Sequence, residues 1–574
     1  MSSEKYDTKD MRMIDYLNIM ATLVYLGTIV LFLIKKPAFL YSPAKNQPSP
    51  KLEKFLFFLI LGAAIFLRFY RLATLPEGLH QDEASNSYEG FAIANYGIDR
   101  NGYPYPIYPI TFGSGGGNPL LIYTYALICK FTEPSVFSYR CIFAVYGTLT
   151  IILFYLLLHK IYDTKTALLG MSLLTLMPWH IVLSRWGLDS NNIPFWSILI
   201  VLLFYYANQT QKTSLYIITS ILCAVILYCY GSATFVMPFF VLFACGYSLW
   251  TKRITIKQLI YSGFAFLLFA FPIAVFYFIN VFDFPAIVTS NFSFARFTGN
   301  HTNSTFLAFN AGLPKALLEN LVHLLKMITI GTQDELWNYV PGYFTLYHFT
   351  FPVTFLGIYV GFKDVLRDFK KRNYNRHALM CCMLLGTFTI ALFMVPNINR
   401  LVFLWLPLIY FMVLGFYTLG KYSRYLLALS LLLFGLGSVS FVKDYFTEYG
   451  TMSNFLFMKG YGDAVVYAEE IHEEGTIIYS TYENLASPYL TVLLYTRTSP
   501  FDYIETAVYK DEDAEFKIAS SFTHYVFGLP EDITDEKYYK NIIIISNTER
   551  ERFHGLPYSQ TEFGNYTVLE YCGD

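Results

Sequence analysis

The sequence predicts a mostly α-helical protein that crosses a membrane many times and ends in a small α/β domain. Composition is the first observation: 55% of the 574 residues are hydrophobic and only 14% are charged, whereas soluble proteins carry about 25% charged residues. Patterning is the second, because the apolar residues form long stretches such as 17–34, 261–279 and 426–442. A bilayer span needs about 20 mostly apolar residues, so these stretches indicate transmembrane helices.

Charged residues between the apolar stretches predict the orientation of the chain. We predict twelve spans, at about residues 17–34, 55–72, 138–158, 166–182, 194–207, 214–230, 234–250, 258–280, 343–362, 377–395, 401–419 and 425–442. Five loops on one side are then rich in Lys and Arg, namely 35–54, 160–165, 252–257, 363–376 and 421–424. Since cytoplasmic loops are enriched in Lys and Arg, we predict that this side faces the cytoplasm.

The predicted spans divide the chain into three parts. Residues 1–54 form an additional N-terminal transmembrane helix and a cytoplasmic loop. Residues 55–442 form a transmembrane core, with long outer loops at 73–138 and 281–342. Residues 443–574 follow the last span and therefore lie on the outer side, with the two long loops.

The C-terminal part has the pattern of a small folded domain. Its apolar runs at 476–480 and 541–546 are short and rich in β-branched residues, and a helix-like stretch at 488–495 lies between them. Strand-like runs that alternate with helical patterns are typical of an α/β arrangement. We therefore predict an extracytoplasmic α/β domain over residues 443–574.

Charge and cysteine content exclude several classes of partner. The formal net charge is −1, so no basic excess points to nucleic acid. The eight cysteines show no CxxC or Cys/His spacing typical of a zinc site or a redox pair. We therefore expect no nucleic-acid partner, no metal site and no bound cofactor.

A polar cluster near the start of the first long outer loop is the best candidate for a functional site. Helical spacing places Asp82, Ser85, Asn86 and Glu89 on one face. This predicts a helix at the membrane surface, with its acidic face toward a water-filled cavity. Asp82 and Glu83 fall in the first turn, where free backbone amides favour carboxylates, so the spacing fits simple helix capping equally well.

Two arginines lie in very short outer segments. Arg185 shares the loop 183–193 with Asp189, and Arg400 ends the turn 396–400. Long basic side chains at the ends of spans are often anchors at the membrane surface, and spacing alone favours this interpretation for Arg185. The alternative is that both arginines face an anionic headgroup, because a guanidinium group can bind phosphate oxygens through two parallel hydrogen bonds.

Several of these motifs occur together in one known family. They are an Asp-Glu pair after an early span, the residues that follow it, a Ser-Arg pair in a short outer loop and a late arginine: Asp82-Glu83-Ala84, Tyr88 to Ala92, Asp99 to Gly102, Ser184-Arg185 and Arg400. Over roughly residues 55–420 the chain resembles GT-C-fold glycosyltransferases, in the group of protein O-mannosyltransferases and aminoarabinose-transferase-like enzymes (glycosyltransferase family 39). One departure is Asn397-Ile-Asn-Arg-Leu401, where relatives often have His-x-Arg-Tyr.

The resemblance implies a GT-C fold and a sugar-transfer reaction. Its members move a sugar from a polyprenyl-phosphate monosaccharide to an acceptor outside the cytoplasm, with inversion. By resemblance, Asp82 is the catalytic acid–base carboxylate, Glu83 is its partner, and Arg185 and Arg400 bind the donor phosphate. Five further residues are candidates for substrate binding: His80, Tyr88, Glu89, Asn118 and Asp189.

Partners and location follow from the same resemblance. The expected partners are the lipid-linked sugar donor, which is a substrate and not a cofactor, the membrane lipids, and an acceptor that is a glycan, a lipid or a protein. The expected location is a bacterial plasma membrane, as an integral membrane protein. The active site and the C-terminal domain would then face away from the cytoplasm.

Two other classes of function fit parts of the pattern. A polytopic transporter of an anionic substrate could place Arg185 and Asp82 around that anion in the membrane, although both residues fall in predicted outer loops. A non-enzymatic membrane scaffold that presents the C-terminal domain would need no carboxylates in its loops. A donor-dependent transfer assay with membranes separates these two alternatives from a glycosyltransferase.

Overall fold

Helices make up most of the part of the chain that the structure describes. This computed structural model describes residues 16–20, 22, 26–27, 47–112, 115–297, 306–307, 312–329, 331, 336–422, 424–512, 514, 517–530, 532–533 and 535–572. The predicted first span at 17–34 lies mostly outside these ranges.

Seven of the described helices are long and apolar enough to cross a membrane. They are Val136–Ile161, Asp189–Thr210, Gly231–Trp250, Ile256–Val281, His348–Lys370, Val402–Tyr422 and Arg424–Thr447. Each coincides with one of the twelve predicted spans. Shorter apolar helices are Pro119–Cys129, Thr213–Tyr228 and Ala378–Phe393. The helix Pro50–Phe69 matches the predicted span 55–72, but it carries four charged residues, Lys51, Glu53, Lys54 and Arg68. The total of twelve spans stays a prediction.

One predicted span is broken into two helices. The stretch predicted as a single span at 166–182 forms Thr164–Thr175 and Pro178–Leu183. Pro178 has no backbone N–H and cannot continue the first helix, but it fits the first turn of the second. The break turns the chain into the short loop that carries Arg185. The remaining helices are Gln81–Tyr96, Leu313–Thr329, Tyr449–Ser453, Tyr461–Glu470, Pro488–Thr496 and Pro500–Thr506.

A seven-stranded sheet forms the centre of the C-terminal domain. The strands are β1 (Ile110–Thr111), β2 (Gly115–Gly116), β3 (Ile287–Val288) and β4 (Ser293–Phe294) in the core, and β5 (Ile478–Ser480), β6 (Val508–Tyr509), β7 (Ala519–Phe522), β8 (Tyr525–Phe527), β9 (Ile542–Ser546), β10 (Tyr558–Phe563) and β11 (Tyr566–Tyr571) in the domain. The sheet order is β10-β11-β9-β5-β8-β7-β6, and β5 runs parallel to both β8 and β9. The buried isoleucines of β9 suit a central strand covered on both faces.

The helix Gln81–Tyr96 lies between the membrane core and the C-terminal domain. Residues 83–94 are buried, although the sequence predicted an amphipathic helix with a wet acidic face. That prediction is wrong because other elements cover the helix. The helix Pro119–Cys129 packs so closely that a Cβ on Gly90 would lie 2.9 Å from the ring of Tyr125, and the hydroxyl of Tyr88 donates to the carbonyl of Thr498 in the C-terminal domain at 2.8 Å.

Candidate active site

The N-terminus of the helix Gln81–Tyr96 is held by a capping arrangement. The ring nitrogen Nδ1 of His80 accepts the N–H of Asp82 at 3.2 Å, and the N–H of His80 donates to Oε2 of Glu83 at 3.0 Å. His80 thus takes the place that Ser or Thr usually holds in a capping box. The start of the helix, and with it Asp82, is therefore fixed.

Aromatic side chains enclose the ring of His80. The ring centroids of Trp186, Trp337 and Phe457 lie 5.3, 4.9 and 5.7 Å from that of His80. His80 is only 3% exposed. The predicted substrate-binding residue His80 is therefore part of the packed wall behind Asp82, where it joins the first outer loop to the loop 183–193.

Glu83 is fully buried and forms a two-fold ion pair with Arg140. The guanidinium atoms Nε and Nη2 of Arg140 donate to Oε1 and Oε2 of Glu83, each at 2.8 Å. The N–H groups of His80 and Gly187 add one hydrogen bond to each carboxylate oxygen, at 3.0 and 2.9 Å. Four donors fill the carboxylate, so Glu83 has little capacity to bind a substrate.

Arg140 connects the helix Val136–Ile161 to the first outer loop. Besides Glu83, its guanidinium donates to the carbonyls of Pro76 and Gly78, both at 2.7 Å. Its side chain is fully buried. Burying a guanidinium group is costly unless it is paired and hydrogen-bonded, and here both conditions hold. The pair fixes the loop that leads into Asp82.

Asp82, unlike the buried Glu83, is partly exposed. Its side chain is 26% exposed, and Oδ2 lies 3.3 Å from Nδ1 of His80. Because that nitrogen already accepts the N–H of Asp82, it does not donate a proton to the carboxylate. Among the residues that the structure describes, no other donor reaches the Asp82 carboxylate. The backbone thus fixes the position of the carboxylate, while its oxygens remain accessible to a ligand.

Asp189 and two asparagines lie beside Asp82. The Oδ1 atom of Asp189 accepts from Nδ2 of Asn86 at 2.8 Å and, weakly, from the N–H of Asn118 at 3.4 Å. The side chain of Asn118 in turn donates to the carbonyl of Asp189 at 2.9 Å. Asp189, Asn86 and Asn118 therefore form one hydrogen-bonded group, and Asn86 lies one helical turn after Asp82. The role of these residues in a shared site stays a prediction.

Tyr88 and Glu89 point away from this group. Tyr88 reaches the C-terminal domain, as described above. Glu89 is buried against Arg100, with Nε of Arg100 2.9 Å from Oε1 and the N–H of Arg100 3.1 Å from Oε2. These contacts connect the helix Gln81–Tyr96 to its surroundings. A substrate-binding role for either residue stays a prediction that these contacts do not favour.

Arg185 is buried, and nearly all of its donors are used within the protein. Nη1 donates to the carbonyl of Leu67 at 2.8 Å and Nη2 to that of Tyr70 at 2.7 Å. Nε donates to the hydroxyl of Tyr445 at 3.1 Å, and the ring of Phe446 covers the guanidinium 5.0 Å away. Burial lowers the pKa of Arg185 below its ordinary value. These contacts hold the end of the helix Pro50–Phe69 and leave almost no donor for a phosphate.

Arg400 differs from Arg185 in having free donors. It is half-buried, and its guanidinium makes one long hydrogen bond, from Nη1 to the carbonyl of Val395 at 3.4 Å. Its backbone N–H donates to Oδ1 of Asn397 at 3.2 Å, which shapes the turn. Asn399 and Trp186 line one small cavity, so this turn lies beside the loop 183–193. Arg400 therefore remains available to bind a ligand.

Sequence reasoning missed Arg140 and gave Asn86 no role beyond its helix face. Ser135 is the N-cap of the helix Val136–Ile161, and Arg140 lies five residues after it. In the sequence it therefore resembles an ordinary arginine near the start of a span. No sequence signal identified Arg140, because a carboxylate requires a cationic partner only when it is buried, and the burial of Glu83 is not visible in the sequence. No group of three or more His, Cys, Asp and Glu side chains that could hold a metal occurs in the described residues.

Comparison with solved structures identifies the fold. The structure is similar to the crystal structure of ArnT from Cupriavidus metallidurans in the apo state, with a TM-score of 0.53 and 12% sequence identity over 90% of this chain and 98% of ArnT. The structure of ArnT bound to undecaprenyl phosphate gives a TM-score of 0.51 at the same identity and coverage. The chain therefore has the GT-C fold, and the predicted fold class, with its small C-terminal α/β domain, is confirmed.

The sequence itself matches one family over part of its length. Residues 117–277 match the family model described as dolichyl-phosphate-mannose-protein mannosyltransferase. The match includes Asn118, Arg140, Arg185 and Asp189. The resemblance to GT-C glycosyltransferases seen in the sequence is thereby confirmed. No curated protein matches the sequence.

A third solved structure is more distant. The oligosaccharyltransferase AglB from Archaeoglobus fulgidus, in complex with an inhibitory peptide and a dolichol-phosphate, has a TM-score of 0.44 and 13% identity over 77% of this chain. This chain spans 64% of the length of that protein.

Proposed function

We propose that the protein transfers a sugar from a polyprenyl-phosphate monosaccharide to an acceptor hydroxyl on the outer side of the membrane, with inversion. The observation that carries the proposal is the open carboxylate of Asp82, held rigidly beside the buried Glu83–Arg140 pair. The asymmetry of Lys and Arg in the predicted loops supports an outer location for this site.

The reaction needs one base and one stabiliser of negative charge. The acceptor oxygen forms a bond to the anomeric carbon of the sugar, while the bond from that carbon to the phosphate oxygen breaks. A single in-line displacement of this kind inverts the anomeric carbon. The proton of the acceptor hydroxyl passes to Asp82, and the polyprenyl phosphate leaves as an anion. General-base catalysis contributes about 10²- to 10⁴-fold to such reactions.

The groups beside Asp82 suit the binding of hydroxyl groups. Asn86 and Asn118 can each donate and accept hydrogen bonds, and Oδ1 of Asn86 has no hydrogen-bond partner among the described residues. Asp189 is held by both asparagines. We assign these three side chains to the sugar or to the attacking hydroxyl.

The phosphate of the donor is assigned to Arg400. Its guanidinium has free donors, whereas that of Arg185 is occupied by backbone carbonyls and Tyr445. Stabilising a developing charge by a fixed donor is worth several kcal/mol, about 2.7–4 kcal/mol for one oxyanion-hole group. Arg185 then supports the site by holding the end of the helix Pro50–Phe69.

An apolar cavity offers space for the lipid chain of the donor. It has a volume of about 380 Å³ and lies between the helices Ile193–Thr210, Thr213–Val225, Gly231–Trp250 and Ile256–Val281. Its lining includes the apolar side chains of Leu227, Val241 and Phe266. The solved complex of ArnT with undecaprenyl phosphate supports a donor of this class.

Replacement of Asp82 by Asn tests the proposal. Asp82→Asn keeps the size of the side chain but removes its capacity to accept a proton, so transfer should fall at least about 10²-fold. Transfer is measured with the purified protein in nanodiscs, from a panel of radiolabelled undecaprenyl-phosphate sugars to an outer-envelope extract. Binding of undecaprenyl phosphate should be unchanged.

The matched control is Asp283→Asn, which changes an exposed carboxylate paired with Arg296. It should transfer sugar at the wild-type rate. If Asp82→Asn retains more than about a tenth of the wild-type rate, the general-base role is wrong, and Asp82 acts only at the helix start. If the wild-type protein transfers no sugar from any donor of the panel, the proposed donor class is wrong.

A further inference from the structure

A shallow groove runs along one face of the helix His348–Lys370 and ends just after it. The residues that line it, from Phe355 to Lys371, recur at every turn of the helix, so they lie on one side of it. The opposite side is packed against the helix Val402–Tyr422, because a Cβ on Gly357 would lie 1.8 Å from the carbonyl oxygen of Phe411. We call the groove formed by these lining residues the basic groove. Among the described residues, no other helix contributes to its lining.

The part of the basic groove nearer the middle of the helix is apolar. It is lined by the exposed side chains of Phe355 and Tyr359 and by the half-buried Ile358 and Phe362. Contiguous apolar side chains that stay exposed mark a surface that contacts a membrane or another protein. The helix is long and apolar enough to cross a membrane, so this part of the groove suits the acyl chains of a lipid.

The part of the basic groove nearer the end of the helix carries an excess of positive charge. Four basic side chains line it, those of Lys363, Arg367, Lys370 and Lys371, and no carboxylate does so among the described residues. Asp364 and Asp368 lie on the same helix, but both pair with Arg367, at 2.8 and 3.1 Å. The three lysines form no ion pair within the part of the chain that the structure describes. Their charges are therefore available to an anionic ligand.

The side chain of Lys363 points from the basic part of the groove toward its apolar part. Its Nζ atom lies 5.6 Å from the centroid of the Tyr359 ring, one turn earlier in the helix. Trp250 marks the membrane surface nearby, since Trp side chains concentrate there, and its Nε1 atom donates to the carbonyl of Phe369 at 2.9 Å. Lys363 precedes Phe369 by about 9 Å of helix. Its ammonium group thus lies on the membrane side of Trp250, where a charge is costly without a partner.

The combination of exposed apolar and basic residues decides which occupant fits. A free phosphate ion would leave the apolar part of the groove uncovered, whereas an anionic phospholipid covers both parts. The loop 35–54, which is predicted on the same side of the membrane, contains five lysines and one glutamate. That glutamate, Glu53, already accepts a hydrogen bond from Tyr155 at 2.8 Å, so this loop cannot neutralise the groove. Basic pockets beside membrane-spanning helices are typical sites for anionic lipids.

We propose that the basic groove binds an anionic phospholipid, with its headgroup at the three lysines and its acyl chains along Phe355 and Tyr359. The site is separate from the proposed donor site, because the predicted topology places residues 363–376 on the cytoplasmic side and Arg400 on the outer side. The inference therefore does not rest on the proposed function, and the bound lipid is neither donor nor acceptor.

Lipid binding to the purified protein tests the inference without any transfer reaction. The full-length protein is delipidated in detergent and titrated with phosphatidylglycerol or with phosphatidylcholine of the same acyl chains. Native mass spectrometry counts the bound lipids and gives their affinities. We expect the first phosphatidylglycerol to bind at least about tenfold more tightly than the first phosphatidylcholine, as the charge of several lysines requires. Inorganic phosphate should not displace it, because that ion has no acyl chain.

Two matched triple variants locate the binding. Lys363→Gln, Lys370→Gln and Lys371→Gln together should lower the affinity for phosphatidylglycerol about 100-fold, at about fivefold for each basic residue, and leave that for phosphatidylcholine unchanged. The three side chains are exposed, so the unfolding midpoint of the delipidated protein should not change. The control combines Lys51→Gln, Lys54→Gln and Lys212→Gln, which remove the same charge from exposed positions on other parts of the chain. It should keep the preference for phosphatidylglycerol.

Any of four results would overturn the inference. Equal affinities of the wild type for the two lipids would show that it does not select an anionic headgroup. An undiminished preference in the variant at Lys363, Lys370 and Lys371 would place the lipid elsewhere. An equal loss in the control would show that only the overall charge of the protein matters. Displacement by inorganic phosphate would identify a site for a free anion instead of a lipid.

Discussion

Asp82 and Glu83 are consecutive residues of one helix, yet they lie in opposite environments. Glu83 is fully buried and accepts four hydrogen bonds, two of them from Arg140. Asp82 is 26% exposed, and Nδ1 of His80, which lies 3.3 Å from its Oδ2 atom, already accepts the N–H of Asp82. A saturated buried carboxylate stabilises the protein, whereas an open one can take part in a reaction. The fold fixes Glu83 and thereby places Asp82.

The two arginines of the predicted phosphate site differ in the same way. Arg185 donates to the carbonyls of Leu67 and Tyr70 and to the hydroxyl of Tyr445. Arg400 makes one hydrogen bond of 3.4 Å. Both residues are arginines in short predicted outer segments, so the sequence did not distinguish them. On this ground we propose that Arg185 supports the fold and that Arg400 binds the donor; both roles stay predictions.

The largest effect is expected when the buried ion pair of Glu83 and Arg140 is broken. Arg140→Met leaves Glu83 buried without a counter-charge, which costs about 3–5 kcal/mol when one partner of a buried pair is removed. We expect little or no folded protein after solubilisation, measured as monodisperse yield and apparent unfolding midpoint. The double variant Glu83→Gln with Arg140→Met removes both charges and should recover part of the yield. A folded Arg140→Met protein with a normal midpoint would contradict the role given to the pair.

A smaller effect is expected at Asp99, whose two carboxylate oxygens differ in their hydrogen bonding. Its Oδ1 atom accepts the N–H groups of Asn101 and Tyr103, each at 2.9 Å, while its buried Oδ2 atom has no hydrogen-bond partner among the described residues. Burial raises the pKa of Asp99 from 3.8 to about 6. The folded protein therefore holds this proton more tightly than the unfolded chain, and its stability falls as the pH rises from about 4 to about 6.

Asp99→Asn should remove that fall. A raised pKa of this size corresponds to at most about 3 kcal/mol, at 1.36 kcal/mol per pH unit. The measurement is the apparent unfolding midpoint at pH 4 and pH 6.5, in the wild type and the variant, with Asp283→Asn as the exposed control. The difference between the two pH values should shrink only in Asp99→Asn. An equal change in both variants would show that Asp99 is ionised without cost.

The smallest effect should separate the two arginines. Arg400→Lys keeps the charge but loses the planar fork, so the KM for the lipid donor should rise about tenfold while the unfolding midpoint stays unchanged. Arg185→Lys should lower the unfolding midpoint, because one ammonium group cannot reach the carbonyls of Leu67 and Tyr70 together. Its KM for the donor should remain near that of the wild type. The reverse pattern would show that Arg185, and not Arg400, binds the donor phosphate.

Much of the fold could be predicted from the sequence. Seven predicted spans coincide with long apolar helices, and the strand-like runs at 476–480 and 541–546 correspond to β5 and β9. The predicted surface position of the helix Gln81–Tyr96 was wrong. Three residues of its polar face are buried, since Asn86 contacts Asp189 and both Ser85 and Glu89 contact Arg100. Helical periodicity carries no information about such tertiary contacts. The roles of the site residues stay predictions.

The sequence by itself determined the membrane class, the helical core and the α/β domain, because apolar length and periodicity are local properties of the chain. It also predicts that Asp82, Arg185, Asp189 and Arg400 lie in outer segments, and that location stays a prediction. Only the tertiary structure decided which of these side chains have hydrogen-bonding groups left for a ligand. The partners of Glu83 and Arg185 include Arg140, 57 positions away, and Tyr445, 260 positions away. Whether a polar side chain is saturated depends on such long-range contacts, which form only when the chain has folded.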